Sequence, residues 1–431
     1  MNRQNIKKSK QLKKLIQSYF DCPQNNLILS FDYNEFSLDT AKMLGQMLQN
    51  CLKNLQLLEL SLKSCFLGYI NFSKITSGLS MCTNLKYMKI DLYNNQIQAD
   101  GLHYLGLAIS NFKLIETIKI DLRRNNIGPD GLNKLVSSFL NCQNLSTLIL
   151  GLKSNNISGK SFTKSCTALI QSPSLKTLAL DLSKNNINAN LALCISSELA
   201  KTQTIQILKI NFSKNIIGDL GVFGLSQNLF KSTCIQSLVL RLSYNKITEE
   251  GLQCLIKPLI QCQVIKSFAL DIEGNEVSER NFSDFISCIG NTKIENFQFN
   301  NCEEYQNLDK SSLGFDNLQF ANLISLDLCS FSQYGFSLQQ QIILSLTVNF
   351  QRLSILRLGL QRWDQQTKLE IFNSLAKSKT LKTFIICVFN YYSYYQLTQV
   401  KSQIQKRIRK IKSLVDEQIV FKNLTNEIFD F

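Results

Sequence analysis

The sequence contains one histidine, His103, and one tryptophan, Trp363, among 431 residues. A single imidazole leaves little basis for catalytic or metal sites that need several histidines. The fourteen cysteines are scattered and form no C-x-x-C pair, which argues against a zinc ribbon or a redox dithiol. We therefore predict no metal, no cofactor and no enzymatic activity, and we expect free, buried thiols in a reducing compartment.

Long apolar runs and proline are also scarce. No apolar stretch reaches the roughly 18 residues that a membrane helix needs, so we predict no membrane span. Four prolines and 18 glycines argue against linkers rich in these residues between separate domains. Basic residues open the sequence without a following apolar segment, and we expect no secretory signal. Together these features predict a cytoplasmic protein, with a cytoskeletal, ciliary or nuclear assembly as open alternatives.

A repeat of thirty residues dominates the sequence. In 175-LKTLALDLSKNNI-187, apolar residues occupy positions 0, 3, 5, 7 and 12 of a frame that begins at Leu175, and asparagine occupies position 10. The same frame recurs at a constant spacing and places one asparagine in each repeat, at Asn95, Asn125, Asn155, Asn185, Asn215, Asn245 and Asn275. Less regular copies extend the array to about thirteen repeats over residues 24–390.

Each repeat predicts a strand, a turn and a helix. Leu178, Leu180 and Leu182 alternate with other residues, as in a half-buried strand. Apolar residues at helical spacing follow the turn, for example Leu132 and Leu135. One such unit cannot bury both of its apolar faces, so neighbouring units must stack around a shared core. We predict that the asparagines form a ladder in which each amide bonds with otherwise unpaired backbone groups of the turn.

The pattern L-x-L-x-x-N-x-I followed by D/E-G-L-x-x-L, as in 120-IDLRRNNIGPDGLNKL-135, resembles leucine-rich repeat proteins of the ribonuclease-inhibitor type. The resemblance implies an α/β horseshoe solenoid with a parallel sheet on the concave face and helices on the convex face. It also implies a protein-binding role, as in cytosolic regulators and subunits of ciliary or cytoskeletal assemblies. Two additional residues, such as Asp181 and Leu182, separate the usual motif from its asparagine. We therefore expect a slightly longer strand.

Three segments are predicted from composition and periodicity. They are a basic N-terminal cap helix over residues 1–23, the solenoid over 24–390, and an aromatic and basic C-terminal cap over 391–431. The basic residues that we predict to anchor anionic surfaces are Lys7, Lys8, Lys10, Lys13, Lys14, Lys406, Arg407, Arg409 and Lys410. The alternative is that both basic segments only cap the ends of the solenoid, which need polar outer faces.

The outward residues of the strands combine acidic and basic side chains. We predict a partner-binding surface at Lys89, Asp91, Tyr93, Lys119, Asp121, Arg123, Lys153, Lys209 and Arg241. The alternative is a solvated face on which charges of neighbouring strands pair with one another. The sequence leaves both interpretations open.

These features predict a non-enzymatic protein–protein interaction scaffold. Its partner is a protein, and an acidic protein surface would suit the basic termini. One alternative is a subunit of a nucleic-acid-containing particle whose basic termini contact phosphates. Another, implied by the family resemblance, is a GTPase-activating type of regulator. The segment 154-SNNISGKS-161 approaches a phosphate-binding loop, but the repeat already accounts for Asn155 and Ile157.

Overall fold

The computed structural model describes residues 11–18, 25–50, 55–159, 161–277, 279–301, 320–331, 350–360, 380–381, 383–388 and 422–423. The chain divides into two compact units. The first comprises Met1–Ile217 and Ser232–Ile235, and the second comprises Gly218–Lys231 and Gln236–Asp430.

Strands and helices alternate in the first unit. In chain order they are α1 (residues 11–17), β1 (Asn26–Ser30), α2 (Leu38–Asn50), β2 (Leu57–Ser61), α3 (Gly68–Leu79), β3 (Tyr87–Asp91), α4 (Gln98–Ile109), β4 (Thr117–Asp121), α5 (Gly128–Val136), β5 (Thr147–Gly151), α6 (Ser161–Ile170), β6 (Thr177–Asp181), α7 (Ala189–Leu199) and β7 (Ile207–Asn211). A 3-10 helix, Ser137–Asn141, follows α5.

The strands of this unit are parallel, and each pairs with the next at equivalent frame positions. Met88, for example, lies beside Leu58 on one strand and Ile118 on the other. The backbone pairing continues beyond the strand ends, because Leu92 N–H donates to Asp121 O at 2.8 Å and Asn94 N–H donates to Arg123 O at 2.9 Å. The additional residues of the motif therefore lengthen the paired segment.

The apolar frame positions form the core between the sheet and the helices. Leu178, Leu180 and Leu182 are each no more than 1% exposed. Burial at about 25 cal/mol per Å² of apolar surface makes this shared core the main source of stability. Helices α2 and α3 pack especially closely, since a Cβ added to Gly78 would clash with Gly45 O. Glycine at these two positions therefore permits backbone-to-backbone contact.

The second unit contains α8 (Gly218–Leu229), β8 (Ser237–Arg241), α9 (Glu249–Gln261), β9 (Ser267–Asp271), α10 (Glu279–Ile289), β10 (Asn296–Asn301), β11 (Ser325–Phe331), β12 (Ile355–Leu360), β13 (Thr383–Val388) and β14 (Lys422–Asn423). These strands also pair in parallel and in sequence order. The β10–β11 pairing shifts register between Gln298 and Asn300. Aromatic rings enter the core here, with Phe297 and Phe299 stacked at 6.1 Å between centroids.

Each unit thus consists of parallel strands alternating with helices, with the apolar residues of both between them. The prediction of a leucine-rich repeat solenoid is confirmed. Among the described residues, no helix combines the length and apolar character required to cross a membrane.

Helix α1 packs its apolar side against the rest of the first unit. Leu12 is 5% exposed and Ile16 is fully buried. Lys13 Nζ lies 3.8 Å from a carboxylate oxygen of Asp39, at the start of α2. This short helix therefore covers apolar surface while its lysines face outward.

Candidate functional site: the strand face and its turns

The turn that follows each strand is built around the asparagine at position 10. Asn185 is 1% exposed, and its Nδ2 donates to Leu182 O at 3.1 Å and to Leu152 O of the preceding repeat at 3.0 Å. Its Oδ1 accepts from Asn155 N–H at 2.9 Å and Ile157 N–H at 3.1 Å. One amide therefore pairs with backbone groups of two successive repeats.

The same arrangement recurs along the array. The asparagines at position 10 are between 0% and 6% exposed, namely Asn95, Asn125, Asn155, Asn185, Asn215, Asn245 and Asn275. Residues with positive φ flank them, such as Lys184 at 56° and Asn186 at 58°. This tight turn buries backbone groups, and the amide supplies their partners.

A second polar row lies at position 6, where each strand ends. Its Asp and Asn side chains accept a hydrogen bond from the backbone N–H two residues later, as in an Asx turn. The acceptor and donor residues are Asp91 and Tyr93, Asp121 and Arg123, Asp181 and Ser183, Asn211 and Ser213, and Asp271 and Glu273, at 2.9–3.2 Å. The strand periodicity alone predicts only that these acids face outward. Their recurrence two positions before the turn was the available signal.

The cations of the first unit pair with these and other acids on one side of the sheet. We call this side, which carries positions 4, 6 and 8, the strand face. Lys63 Nζ lies 3.2 Å from Asp91, and Lys89 Nζ lies 3.8 Å from Glu59. Arg123 Nε donates to both carboxylate oxygens of its neighbour Asp121 at 2.8 Å. Two predicted partner-binding residues, Asp121 and Arg123, thus pair with each other. Two more, Lys89 and Asp91, pair with other residues of the strand face.

Aromatic rings of the strand face lie beneath further cations. Lys119 Nζ is 5.6 Å from the centroid of the Tyr87 ring. The guanidinium groups of Arg123 and Arg124 lie 5.4 and 5.7 Å from the centroid of the Tyr93 ring. Such cation–π contacts hold long side chains in fixed positions. The surface at β3 and β4 is therefore preorganised.

Burial and charge shift several pKa values on this face. The Asp91 carboxylate raises the pKa of Lys63, while burial raises the pKa of Asp91 itself. The hydrogen bond to Asp121 raises the pKa of Arg123. In contrast, burial lowers the pKa of Lys153, and neighbouring cations lower it further. Lys153 therefore lies in a more cationic environment than Lys63.

The structure brings eight of the nine predicted partner-binding residues onto the strand face of the first unit, and Arg241 lies in the second unit. Lys209 lies on β7, where it pairs in register with Ala179. Arg241 ends β8 beside Asp271 of β9. Burial raises the pKa of Asp271, and Arg241 opposes that rise.

Other predicted groups fall partly outside the described residues. Of the basic anchoring residues, Lys13 and Lys14 lie on α1, whereas Lys7, Lys8, Lys10, Lys406, Arg407, Arg409 and Lys410 lie outside the described residues, as does Trp363. In the loop that approaches a phosphate-binding motif, Asn155 and Ile157 are fully buried. His103 is exposed on α4. No cluster of three or more His, Cys, Asp or Glu side chains within the described ranges is arranged to hold a metal ion.

Nine cysteines in the described part of the chain are free thiols. Burial raises the pKa of Cys65 and Cys142 to about 11 and that of Cys288 to about 12. Cys65 occupies the ladder position of its repeat, and its Sγ lies 3.1 Å from Phe31 O. These thiols are held in the protonated form, which is a poor nucleophile.

The free energy of unfolding should fall between about pH 9 and pH 11, in part because of Cys142. The thiol ionises near its ordinary value of 9.0 in the unfolded chain but near 11 in the fold, so the unfolded state binds fewer protons across this interval. One proton contributes at most about 1.4 kcal/mol per pH unit. The free energy of unfolding, measured by urea denaturation at each pH, should therefore fall less steeply with pH for Cys142→Ala than for the native chain.

The partly exposed Cys234 provides the matched control for this experiment. Cys234→Ala should leave the pH dependence close to that of the native chain. If the free energy of unfolding falls as steeply with pH in both variants as in the native chain, the buried thiol does not contribute to the alkaline loss of stability.

Comparisons with known proteins find likenesses among solved structures. No family model matches the chain, and no curated protein matches it. Among solved structures, a chain in the crystal structure of the Rad7 and Elc1 complex in yeast is similar to this chain, with a TM-score of 0.41 and 15% sequence identity over 88% of each chain. The assignment of the fold rests on the strand pairing and turns described above.

Proposed function

We propose that this protein is a non-enzymatic scaffold that binds a protein partner on the strand face of its first unit. The observation that carries the proposal is the preorganised polar surface over β2–β7, where ion pairs, Asx turns and cation–π contacts fix charged side chains in regular rows. A surface that is ordered before binding loses less entropy on association.

Several finer assignments accompany this proposal. The thirty-residue period and helices of nine to thirteen residues support the ribonuclease-inhibitor subtype. The buried Leu12 and Ile16 of α1 support a capping role for the N-terminal segment. The nine free thiols in the described part of the chain support a reducing compartment such as the cytoplasm.

The strand-face proposal is tested by affinity capture from native extract with two charge-reversal variants. Lys119 lies half-buried on the strand face, and Lys113 lies exposed before β4. Lys119→Glu should reduce recovery of the partner by about tenfold, as expected for a residue near the centre of an interface. Lys113→Glu carries the same change in charge and should recover the partner as the native chain does.

Two outcomes would contradict the proposal. In the first, both variants recover the partner equally well, which would place binding away from the strand face. In the second, nuclease treatment of the extract abolishes capture, which would favour a nucleic-acid-containing particle.

A further inference from the structure

The row of acids at the strand ends is interrupted at Gly151. From Asp91 to Asp181, Gly151 is the one residue at this position that is not Asp, and Asn211 follows in the next repeat. The strand register aligns Gly151 with Asp121 on one side and Asp181 on the other. Gly151 supplies no acceptor for the backbone N–H two residues later. Within the described residues, no side chain accepts a hydrogen bond from Lys153 N–H.

The side chain of Lys153 also lacks a carboxylate partner. In the described part of the chain, its ammonium forms no ion pair or hydrogen bond, although the residue is half-buried. Burial lowers the pKa of Lys153, Asp181 opposes this effect, and Lys184, Arg123 and Lys214 lower the pKa further. Asp181 is itself engaged by Ser183, whose N–H and Oγ both donate to it.

The cations around Lys153 belong to successive turns of a regular edge. Arg124 N–H donates to Lys153 O at 3.0 Å, and Lys184 N–H donates to Ser213 O at 3.0 Å. Neighbouring turns are therefore spaced by about 4.8 Å, the distance between paired strands. Both Arg124 and Lys184 are exposed. The turns therefore form a cationic edge, and its half-buried lysine, Lys153, lies where Gly151 interrupts the row of acids.

The strand face carries less side-chain bulk at Gly151 than at the neighbouring strand ends. Gly151 has no side chain, and the neighbouring strand-face residues Ile149 and Ala179 pair in register beside it. Ala179 is covered by its neighbours at 1% exposure, whereas Gly151 itself is partly exposed. A group from outside can therefore approach the strand ends here more closely than at Asp121 or Asp181.

We propose that the gap at Gly151 is an anion-docking position, in which an acidic side chain of the protein partner takes the place of the missing strand-end carboxylate. The incoming carboxylate would accept hydrogen bonds from Lys153 Nζ and Lys153 N–H, with Lys184 adding favourable charge. This proposal rests on the proposed scaffold function and names the chemistry of the partner.

An acidic protein segment fits this position better than a nucleic acid. Proteins that bind single strands combine cations with exposed aromatic rings on which bases stack. On this face, the Tyr87 ring lies beneath Lys119, and the Tyr93 ring lies beneath Arg123 and Arg124. These two rings of β3 and its turn are thus already covered by the protein's own cations.

The test is residue-resolved amine labelling of the full-length chain, because the basic terminal residues would also bind an acidic probe. The protein is briefly acetylated with and without a ten-residue oligoglutamate peptide, and modification at each lysine is measured by mass spectrometry. At a peptide concentration about ten times the dissociation constant, labelling of Lys153 should fall about tenfold, and labelling of Lys184, which faces the same carboxylate, should fall as well. Labelling of Lys113, exposed and distant from the strand ends, should stay within about twofold of its free rate.

Two variants test the role of the gap. Gly151→Asp supplies the missing carboxylate within the chain and should abolish protection of Lys184 by the peptide. A Cβ at this position would lie 3.1 Å from Asp121 Oδ1, so the melting temperature of this variant is measured alongside. Lys153→Gln introduces no such crowding and should also abolish protection of Lys184.

The proposal is overturned if bound peptide leaves the labelling of Lys153 unchanged, or if it protects Lys113 equally. It is also overturned if a ten-nucleotide oligothymidylate protects Lys153 and the peptide does not. If the peptide does not protect Lys153, the effect of Lys119→Glu on partner capture is still open to measurement. If Lys119→Glu does not affect capture, protection of Lys153 by the peptide can still be measured. The two proposals can therefore fail separately.

Discussion

Replacing Asn185 with alanine should lower the free energy of unfolding by about 4 kcal/mol. The change leaves Asn155 N–H and Ile157 N–H without their acceptor in a buried turn. It also removes one of the two amide donors to Leu152 O and to Leu182 O, which keep Asn155 and Asn215, respectively. Each of the two orphaned N–H groups costs about 1–3 kcal/mol, and the loss of one donor at each carbonyl adds about 0.5 kcal/mol. Urea denaturation followed by circular dichroism measures the effect.

Two substitutions serve as controls for this prediction. Asn190 is exposed at the start of α7, and Asn190→Ala should change stability by less than about 0.5 kcal/mol. Asn185→Asp keeps the acceptor but removes the donors and buries a charge, so we expect it to be at least as damaging as alanine. Equal effects of Asn185→Ala and Asn190→Ala would show that the amide is not required by the turn.

The repeat frame explains why so much of the fold could be predicted from the sequence. A strand has a side-chain period of two and a helix a period near 3.6, so the spacing of Leu178, Leu180 and Leu182 and of Leu132 and Leu135 distinguishes the two. Since each unit contacts mainly its neighbours, the pattern of one repeat predicts the pattern of the next. Local rules were sufficient because the architecture is built from local contacts.

The less regular repeats could not be predicted to the same detail. From Ile265 the frame steps by 29 residues to Ile294 and again to Leu323. The pairing of β9 with β10 follows the first shorter step without a break, whereas the pairing of β10 with β11 shifts register between Gln298 and Asn300. The location of a bulge depends on how neighbouring strands pack, and no single side chain in this segment marks it.

The roles of the charged residues were the least predictable part of the candidate site. The sequence identifies Lys89, Asp121, Arg123 and Lys153 as charged and outward-facing, but it does not show which of them pair. Among the residues that the structure describes, Lys89 lies near Glu59 and Arg123 bonds with Asp121, while Lys153 has no such partner. Pairing is decided by side-chain geometry across strands, which periodicity alone does not describe.

Replacing Asp181 with alanine should lower the free energy of unfolding by about 2 kcal/mol. Asp181 is 8% exposed, and its Oδ1 accepts from Ser183 N–H at 3.1 Å and from Ser183 Oγ at 2.7 Å. Alanine leaves both donors without this acceptor at the end of β6. As a control, Asp130→Ala removes an exposed carboxylate from the first turn of α5 and should cost about 0.5 kcal/mol.

Asparagine at the same position separates the hydrogen bond from the charge. Asn211 occupies the equivalent position in the next repeat and accepts from Ser213 N–H at 2.9 Å, so Asp181→Asn should preserve stability to within about 0.5 kcal/mol. The carboxylate that opposes the lowered pKa of Lys153 is nevertheless lost. Oligoglutamate should then protect Lys153 at a lower concentration than in the native chain, because the surface is more cationic. Destabilisation equal to that of Asp181→Ala would instead show that the negative charge, rather than the Asx turn, holds this end of the strand.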